Sequence, residues 1–325
     1  MCLSRALELC LTFGMSLDLL AEVRAVARPT TFIESDRLRR RLGVNVTIAS
    51  ETFQHTGSFK FRAAYNVAVK AQQARIICAS SGNFGQGLAF ACRMLGKSCV
   101  VVMPSGAAHV KVNAVREFGG EVDLIDVAKI SRAERVRQLA VMDPDAYVAS
   151  AYDDDFVIAG NSTLGIELVE SRRNFAAVIA PVGGGGLTAG LIQGLSSRAG
   201  ATKVYGAEPL LANDAARSLR AGRRVIDDKE PDTLADGART VGLGERNWAI
   251  LQQGLAGIIE VTEEQIREAA RLLFTLANLK CEPTAALGIG ALLAAPDQFR
   301  DQSVCCVITG GNVDPQPFFE LIQGA

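Results

Sequence analysis

Short apolar runs alternate along the chain with longer stretches in which apolar residues recur at helical spacing. "NVTIAS" (45–50) reads as a strand and "SFKFRAAYNVAVKAQQ" (58–73) as a helix. "ARIICAS", "SCVVVMP" and "EVDLID" read as strands, each followed by a helical pattern: "NFGQGLAFACRMLG", "HVKVNAVREFG" and "SRAERVRQLAVM". Further on, "AAVIAPV", "KVYGAE" and "SVCCVITGG" continue the strands; "LTAGLIQGLSSRA", "EEQIREAARLLFTLAN" and "PTAALGIGALLA" continue the helices. This alternation predicts parallel βαβ units covered by helices. The strands are continuous Val, Ile and Cys runs, as expected where both faces of a sheet are buried. There is no internal repeat and no low-complexity tract. In "MCLSRALELCLTFGMSLDLLAEVR" (1–24), Glu8 interrupts the apolar run and no small-residue cleavage site follows. That predicts an N-terminal helix or a poorly packed extension, not a signal peptide or membrane span.

Composition narrows the function more than the fold. With 325 residues, 49% hydrophobic and 21% charged, the chain suits one large domain or two modest ones. The net charge of −1 argues against nucleic acid as a partner. The basic clusters "RLRRRLG" (37–43) and "AGRRV" (221–225) are short and interrupted, which reads as solvated surface. The eight cysteines (Cys2, Cys10, Cys78, Cys92, Cys99, Cys281, Cys305 and Cys306) form no CxxC pair, and several sit in apolar runs. That pattern suits reduced, buried thiols and predicts a cytoplasmic protein. Two histidines, His55 and His109, argue against a His-rich zinc site or a Ser/His/Asp triad.

The chemistry gathers at strand–helix joints rich in glycine: "ASSGNFGQG" (79–87), "PVGGGGLTAG" (181–190) and "ITGGNVD" (308–314). Ligands in open parallel sheets bind at the carboxyl ends of strands, so these joints and the Lys60 turn are expected to face one cleft. Lys60 lies between Phe59 and Phe61, after Gly57 and Ser58. Many lysines beside a phenylalanine merely lie along it and expose their charge. One buried there would have a lowered pKa and a nucleophilic amine. The tetraglycine at 183–186 offers free N–H groups and a helix dipole to a phosphate, and it lacks the Gly-Lys-Ser/Thr ending of a nucleotide P-loop. A dinucleotide site is a rival, with Glu208 as the ribose acid, but Gly184, Gly186 and Gly190 space as G-x-G-x-x-x-G. A tight turn without ligand would also use such glycines. A monophosphate cradle together with a reactive lysine points to pyridoxal phosphate held as a Schiff base.

Here the sequence resembles the fold-type II pyridoxal-phosphate enzymes of the serine/threonine dehydratase and serine racemase group. The matching segments are "FQHTGSFKFRAA", "SSGNFGQG", "DFVIAGNSTLGIEL", "VGGGGLTAG", "YGAEPLLANDA", "TLADGARTVGLG", "EPTAALGIGALL" and "ITGGNVD", in family order over residues 50–314. The resemblance implies the tryptophan synthase β-like α/β fold, with two parallel-sheet domains and the cofactor in the cleft between them. Residues 76–151 would form a small inserted domain; 1–75 with 152–325 would form the large one. It implies that Lys60 carries the cofactor and takes the substrate's α-proton, and that Phe59 packs against the cofactor. Asn83 would hydrogen-bond its 3-hydroxyl oxygen, residues 183–186 (Gly183, Gly184, Gly185 and Gly186) with Leu187 would cradle its phosphate, and Thr309 would face its pyridine nitrogen. Ser80, Ser81, Gly82 and Asn83 would bind the substrate carboxylate, with Phe84 shaping the side-chain pocket. Ser81 also stands where racemases of the group carry a second proton donor. Glu282 matches an acid beside the cofactor and reads equally as a helix-start acid before Pro283. Glu208, Ala212 and Asp214 match a cation site for Mg²⁺ or Ca²⁺, or are ordinary acids. Phe84 replaces a common His, Asn161 a usual Gln, and Thr309 stands where Ser or Cys is commoner. The implied reaction is α,β-elimination on serine, threonine or a related 3-hydroxy amino acid, giving a 2-oxo acid and ammonia in a homodimer. Racemisation, β-replacement and nicotinamide-dependent oxidation are the alternatives.

Overall fold

A computed structural model describes residues 17–80, 82–107, 109–196 and 202–323. Ser81, and the first sixteen residues on which the N-terminal expectation mostly rests, lie outside the described residues. The strands are β1 (Thr31–Ile33), β2 (Asn45–Ser50), β3 (Arg75–Ala79), β4 (Ser98–Pro104), β5 (Glu121–Ile125), β6 (Tyr147–Ala149), β7 (Ala177–Pro181), β8 (Lys203–Pro209), β9 (Leu255–Val261) and β10 (Ser303–Ile308). The helices are α1 (Leu17–Val26), α2 (Asp36–Leu42), α3 (Lys60–Lys70), α4 (Asn83–Met94), α5 (His109–Glu117), α6 (Arg132–Met142) and α7 (Asp155–Glu170). They continue with α8 (Gly186–Leu195), α9 (Asp214–Ala221), α10 (Glu245–Gly254), α11 (Glu263–Ala277), α12 (Leu287–Ala294) and α13 (Pro315–Gln323).

The described strands form two sheets. The larger runs β1-β2-β10-β7-β8-β9 and is parallel throughout except for the β1–β2 pair. The smaller runs β5-β4-β3-β6 and is parallel throughout. The inner strands of each sheet are buried on both faces, and successive residues of one strand enter opposite cores. Val304, Cys306 and Ile308 of β10 pack with α11 and α12, while Cys305 and Val307 pack with Leu164 and Leu191 on the other side. In the small sheet Ile76 and Cys78 face α3 and α4, and Ile77 faces Val136 of α6. The six described cysteines are free and buried, as their apolar contexts predict. Among the described residues no helix is long and apolar enough to cross a membrane.

Local signals explain several element ends. Thr262 and Gln265 form a reciprocal capping box at the start of α11, and Asn278 ends that helix in the left-handed conformation. Two readings are corrected. The helix expected over 58–73 begins at Lys60, because Ser58 is drawn into a bridge with Gly310. The helix expected over "PTAALGIGALLA" opens as a 3-10 turn, Pro283–Ala286.

Candidate active site

Four strand ends converge. β2 leads to the Lys60 turn, β3 to Ser80, β7 to the tetraglycine and β10 to Thr309. They line one cavity of about 240 Å³, with Phe59, Lys60, Ser80, Gly82, Asn83, Phe84, the glycines 183–186, Leu187, Glu282 and Thr309 in its wall. Helices α3, α4 and α8 begin at Lys60, Asn83 and Gly186, so three positive dipole ends meet there. The expected co-location of the three joints with Lys60 is thus present.

Lys60 is not laid out along a surface. Its Nζ donates to Ala151 O at 2.6 Å and sits 5.3 Å from the Phe59 ring centroid and 5.8 Å from that of Phe84. Burial pushes its pKa down from 10.5 to about 8, with the Glu282 carboxylate pulling the other way. A lysine held this way becomes a free amine as pH rises through about 8, well below an ordinary lysine, which is what a nucleophile requires. Labelling of the ligand-free protein with an acylating reagent, followed by peptide mass spectrometry, should give a Lys60 rate whose midpoint falls near pH 8. A midpoint near ~10.4, that of an ordinary lysine, would contradict this environment.

The tetraglycine is a shaped backbone surface. Gly185 has φ of 91°, a left-handed conformation that favours glycine. A Cβ on Gly184 would lie 2.2 Å from the Tyr152 ring, and one on Gly186 would lie 2.6 Å from Tyr152 O. Asn161 Nδ2 donates to Gly186 O at 3.0 Å, and Asn247 Nδ2 donates to Gly184 O at 2.6 Å. Both amides hold the loop through its carbonyls, and the first N–H groups of α8 have no partner within the helix. The shorter Asn161, where Gln is usual, therefore still makes a hydrogen bond to the loop.

Opposite the cradle, Thr309 Oγ1 is buried with no hydrogen-bond partner among the described residues. Ser80 Oγ accepts from Gly82 N at 3.2 Å and Gly85 N at 3.0 Å, leaving its own proton to donate. Asn83 Nδ2 donates to both oxygens of Glu282, at 2.8 and 3.0 Å. Burial, and then the Asp236 charge, push the Glu282 carboxyl above the usual carboxylate range. Phe84 is 1% exposed and extends the apolar wall beside Lys60.

Sequence reasoning passed over the basic residues of this wall. Lys111 of α5, Arg132 of α6 and Arg239 all line the cavity. Lys111 Nζ donates to Asp236, and Arg132 pairs with Glu230. Burial works against the Lys111 charge, but Asp236 and Glu282 outweigh it and raise its pKa. A signal was present: Lys111 shares the buried face of α5 with Val112 and Val115.

Glu208 is 1% exposed and does not line the cavity. Its two oxygens accept from Ala215 N at 2.8 Å and Ala216 N at 2.9 Å, so its carboxylate caps α9. That removes the ribose-binding acid from the dinucleotide alternative. Burial, and then the Asp214 charge, raise its pKa well above the ordinary value. Burial also pushes Asp214 up to about 7, and Asp214 Oδ2 has no partner among the described residues.

An unpartnered hydroxyl, a loop that rejects side chains and a buried amine together fit a pyridine ring, a phosphate and an aldehyde. The cavity they line is reached by strand ends of both sheets. The family model for pyridoxal-phosphate dependent enzymes matches residues 23–310, and the chain belongs to that family. The chain is 35% identical over 302 residues to L-threo-3-hydroxyaspartate ammonia-lyase of a Pseudomonas species, covering 92% of this chain and 94% of that one. It is 31% identical over 319 residues to serine racemase of Bos taurus, covering 94% of each. The crystal structure of a T.th. threonine deaminase superposes with a TM-score of 0.86 at 38% identity, covering 92% of this chain and 99% of that one. The fold is that of the fold-type II enzymes, as the motifs imply.

Proposed function

We propose that this enzyme is an ammonia-lyase that removes water from a 3-hydroxy amino acid, giving a 2-oxo acid and ammonia, and that its substrate is 3-hydroxyaspartate. The observation that carries elimination is Lys60, a buried amine with lowered pKa at the mouth of a phosphate-shaped loop. The choice of a dicarboxylic substrate is supported by Lys111, Arg132 and Arg239 in the wall, and by the likeness to the Pseudomonas lyase.

Pyridoxal phosphate, bound here, supplies an electron sink for charge developing at the substrate's α-carbon. Residues 183–186 and Leu187 would hold its phosphate, Phe59 would pack against it, Asn83 would donate to its 3-oxygen, and Thr309 would face its ring nitrogen. A hydroxyl partner would leave that nitrogen unprotonated, which favours elimination over transamination. Lys60 Nζ takes the α-proton. The Ser80 hydroxyl and the N–H groups opening α4 bind the α-carboxylate. Phe84 closes the wall beside Lys60 and keeps water from it. Ser81 is assigned to the same carboxylate. The second reading, racemisation, would make Ser81 the proton donor on the opposite face, and the likeness to serine racemase favours keeping it.

Ammonia and 2-oxo acid release from L-threo-3-hydroxyaspartate, L-serine and L-threonine, with chiral analysis of the remaining amino acid, separates these readings. We expect kcat/KM for 3-hydroxyaspartate to exceed the other two by about tenfold or more, the worth of one charge-assisted contact. Equal or better turnover of serine would overturn the substrate assignment, and D-isomer outpacing ammonia would overturn elimination.

We further propose that Glu208, Asp214 and the Ala212 carbonyl hold Mg²⁺ or Ca²⁺. Two buried carboxylates with raised pKa and one unpartnered oxygen favour a hard cation. Added cation at ~100 times its dissociation constant should stabilise the fold by about 2.7 kcal/mol, read as a higher Tm. Asp214→Asn should lose that response; an equal response in the variant would contradict the site. Residues 76–151 as the small domain, a homodimer and a cytoplasmic location complete the proposal. Light scattering of the purified protein tests the dimer.

A further inference from the structure

Asn83 is held at both ends of its amide. Its Oδ1 accepts from Asn312 Nδ2 at 2.8 Å; the two Glu282 oxygens lie on one side of its Nδ2 and share one hydrogen, which leaves the second for the cavity. Turned end for end, the amide would set NH2 against NH2 and carbonyl against carboxylate, so this network admits one orientation. Asn312 Nδ2 also donates to Thr56 O at 2.8 Å, which uses both of its hydrogens. Thr56 belongs to the turn that carries Lys60, and that turn is stitched to the same loop by Gly311 N to Gly57 O and Phe59 N to Thr309 O, both 2.9 Å. Gly57 has φ of 71°, and a Cβ there would lie 2.3 Å from Asn312 Oδ1. The turn therefore closes directly on the Asn312 amide, which joins it to the start of α4.

We propose that Asn312 is a positioning residue that fixes the Asn83 amide with its NH2 group toward the cavity, so that Asn83 presents a donor to an anionic oxygen of the bound cofactor. This rests on the reading of Asn83 given above. Asn312 touches neither cofactor nor substrate in this scheme and acts through Asn83 alone.

The test is a double-mutant cycle read by cofactor affinity and absorption spectrum. Ligand-free wild type, Asn83→Ala, Asn312→Ala and the double variant are titrated with pyridoxal phosphate. Each single change should weaken binding by about tenfold or more, the worth of one hydrogen bond to a charged group. The double variant should bind as Asn83→Ala does, because Asn312 then has nothing left to orient. Asn312→Asp, whose carboxylate demands the NH2 of Asn83, should shift the absorption maximum as Asn83→Ala does. If the losses of the two single variants multiply in the double, Asn312 works through the Thr56 carbonyl and the proposal fails. An unshifted band in Asn312→Asp also overturns it. Wild-type affinity and spectrum in Asn83→Ala would overturn the reading of Asn83 and the proposal with it. If Asn312→Ala does not fold, Asn312→Ser takes its place in the cycle.

Discussion

The Lys60→Ala protein should turn over 3-hydroxy amino acids about 10²–10⁴-fold more slowly than wild type, the usual worth of a positioned base, or more slowly still. The loss should fall on kcat, because the carboxylate-binding start of α4 and the phosphate loop are untouched. The cavity that remains is walled by Phe59 and Phe84, with the Ala151 carbonyl no longer capped by Nζ. A small alkylamine should diffuse into that space and restore part of the rate, increasing with pH as the free amine is populated. Steady-state kinetics with and without methylamine checks this. Activity within about tenfold of wild type would mean that another group removes the proton.

The largest stability effect is expected two residues further along α3. Arg62 is 0% exposed. Its guanidinium donates to Glu51 at 2.7 and 3.0 Å, to Glu167 at 2.6 and 3.1 Å, and to Thr30, Thr163 and the Arg28 carbonyl. Arg62→Met strands the buried Glu51 charge and the mostly buried Glu167 charge, a change that costs about 3–5 kcal/mol. Denaturant unfolding at neutral pH should report it. The pH dependence has a definite sign. Burial raises the Glu167 pKa, but Arg62 outweighs it and the folded value lies below 4.5. That stabilisation is present above pH 4.5 and is lost as pH falls through the folded pKa. In the variant the Glu167 carboxylate keeps its burial and loses its cation, so it takes up a proton more readily as pH falls. The gap between wild type and variant should therefore narrow as pH falls toward and through 4.5. A gap that widens with acid would contradict the ion-pair account.

Lys60, the tetraglycine and Thr309 were legible because each sits at a strand end marked by glycine, and a parallel sheet sends its strand ends to one edge. The residues that were missed come from elsewhere. Lys111 and Asp236 are 125 residues apart and meet only across the cleft. Nothing local distinguishes either from a surface charge, apart from the placement of Lys111 beside Val112. Asn312 lay inside a recognised motif, but its role depends on Asn83, 229 positions earlier. The strands passed over were those with weak patterns. β1 and β6 have three residues each, and β9 carries Gly257 and a register shift opposite β8. Glu208 shows the opposite failure. Its place at the end of β8 suggested a ribose-binding acid, whereas its oxygens accept from the backbone of α9, away from the cavity.

Borohydride reduction of the protein loaded with pyridoxal phosphate, followed by digestion and peptide mass spectrometry, tests the central claim most directly. The account predicts a single pyridoxyl modification, on Lys60, that is absent from the Lys60→Ala protein. No modification, or one on Lys111 or any other lysine, would contradict it.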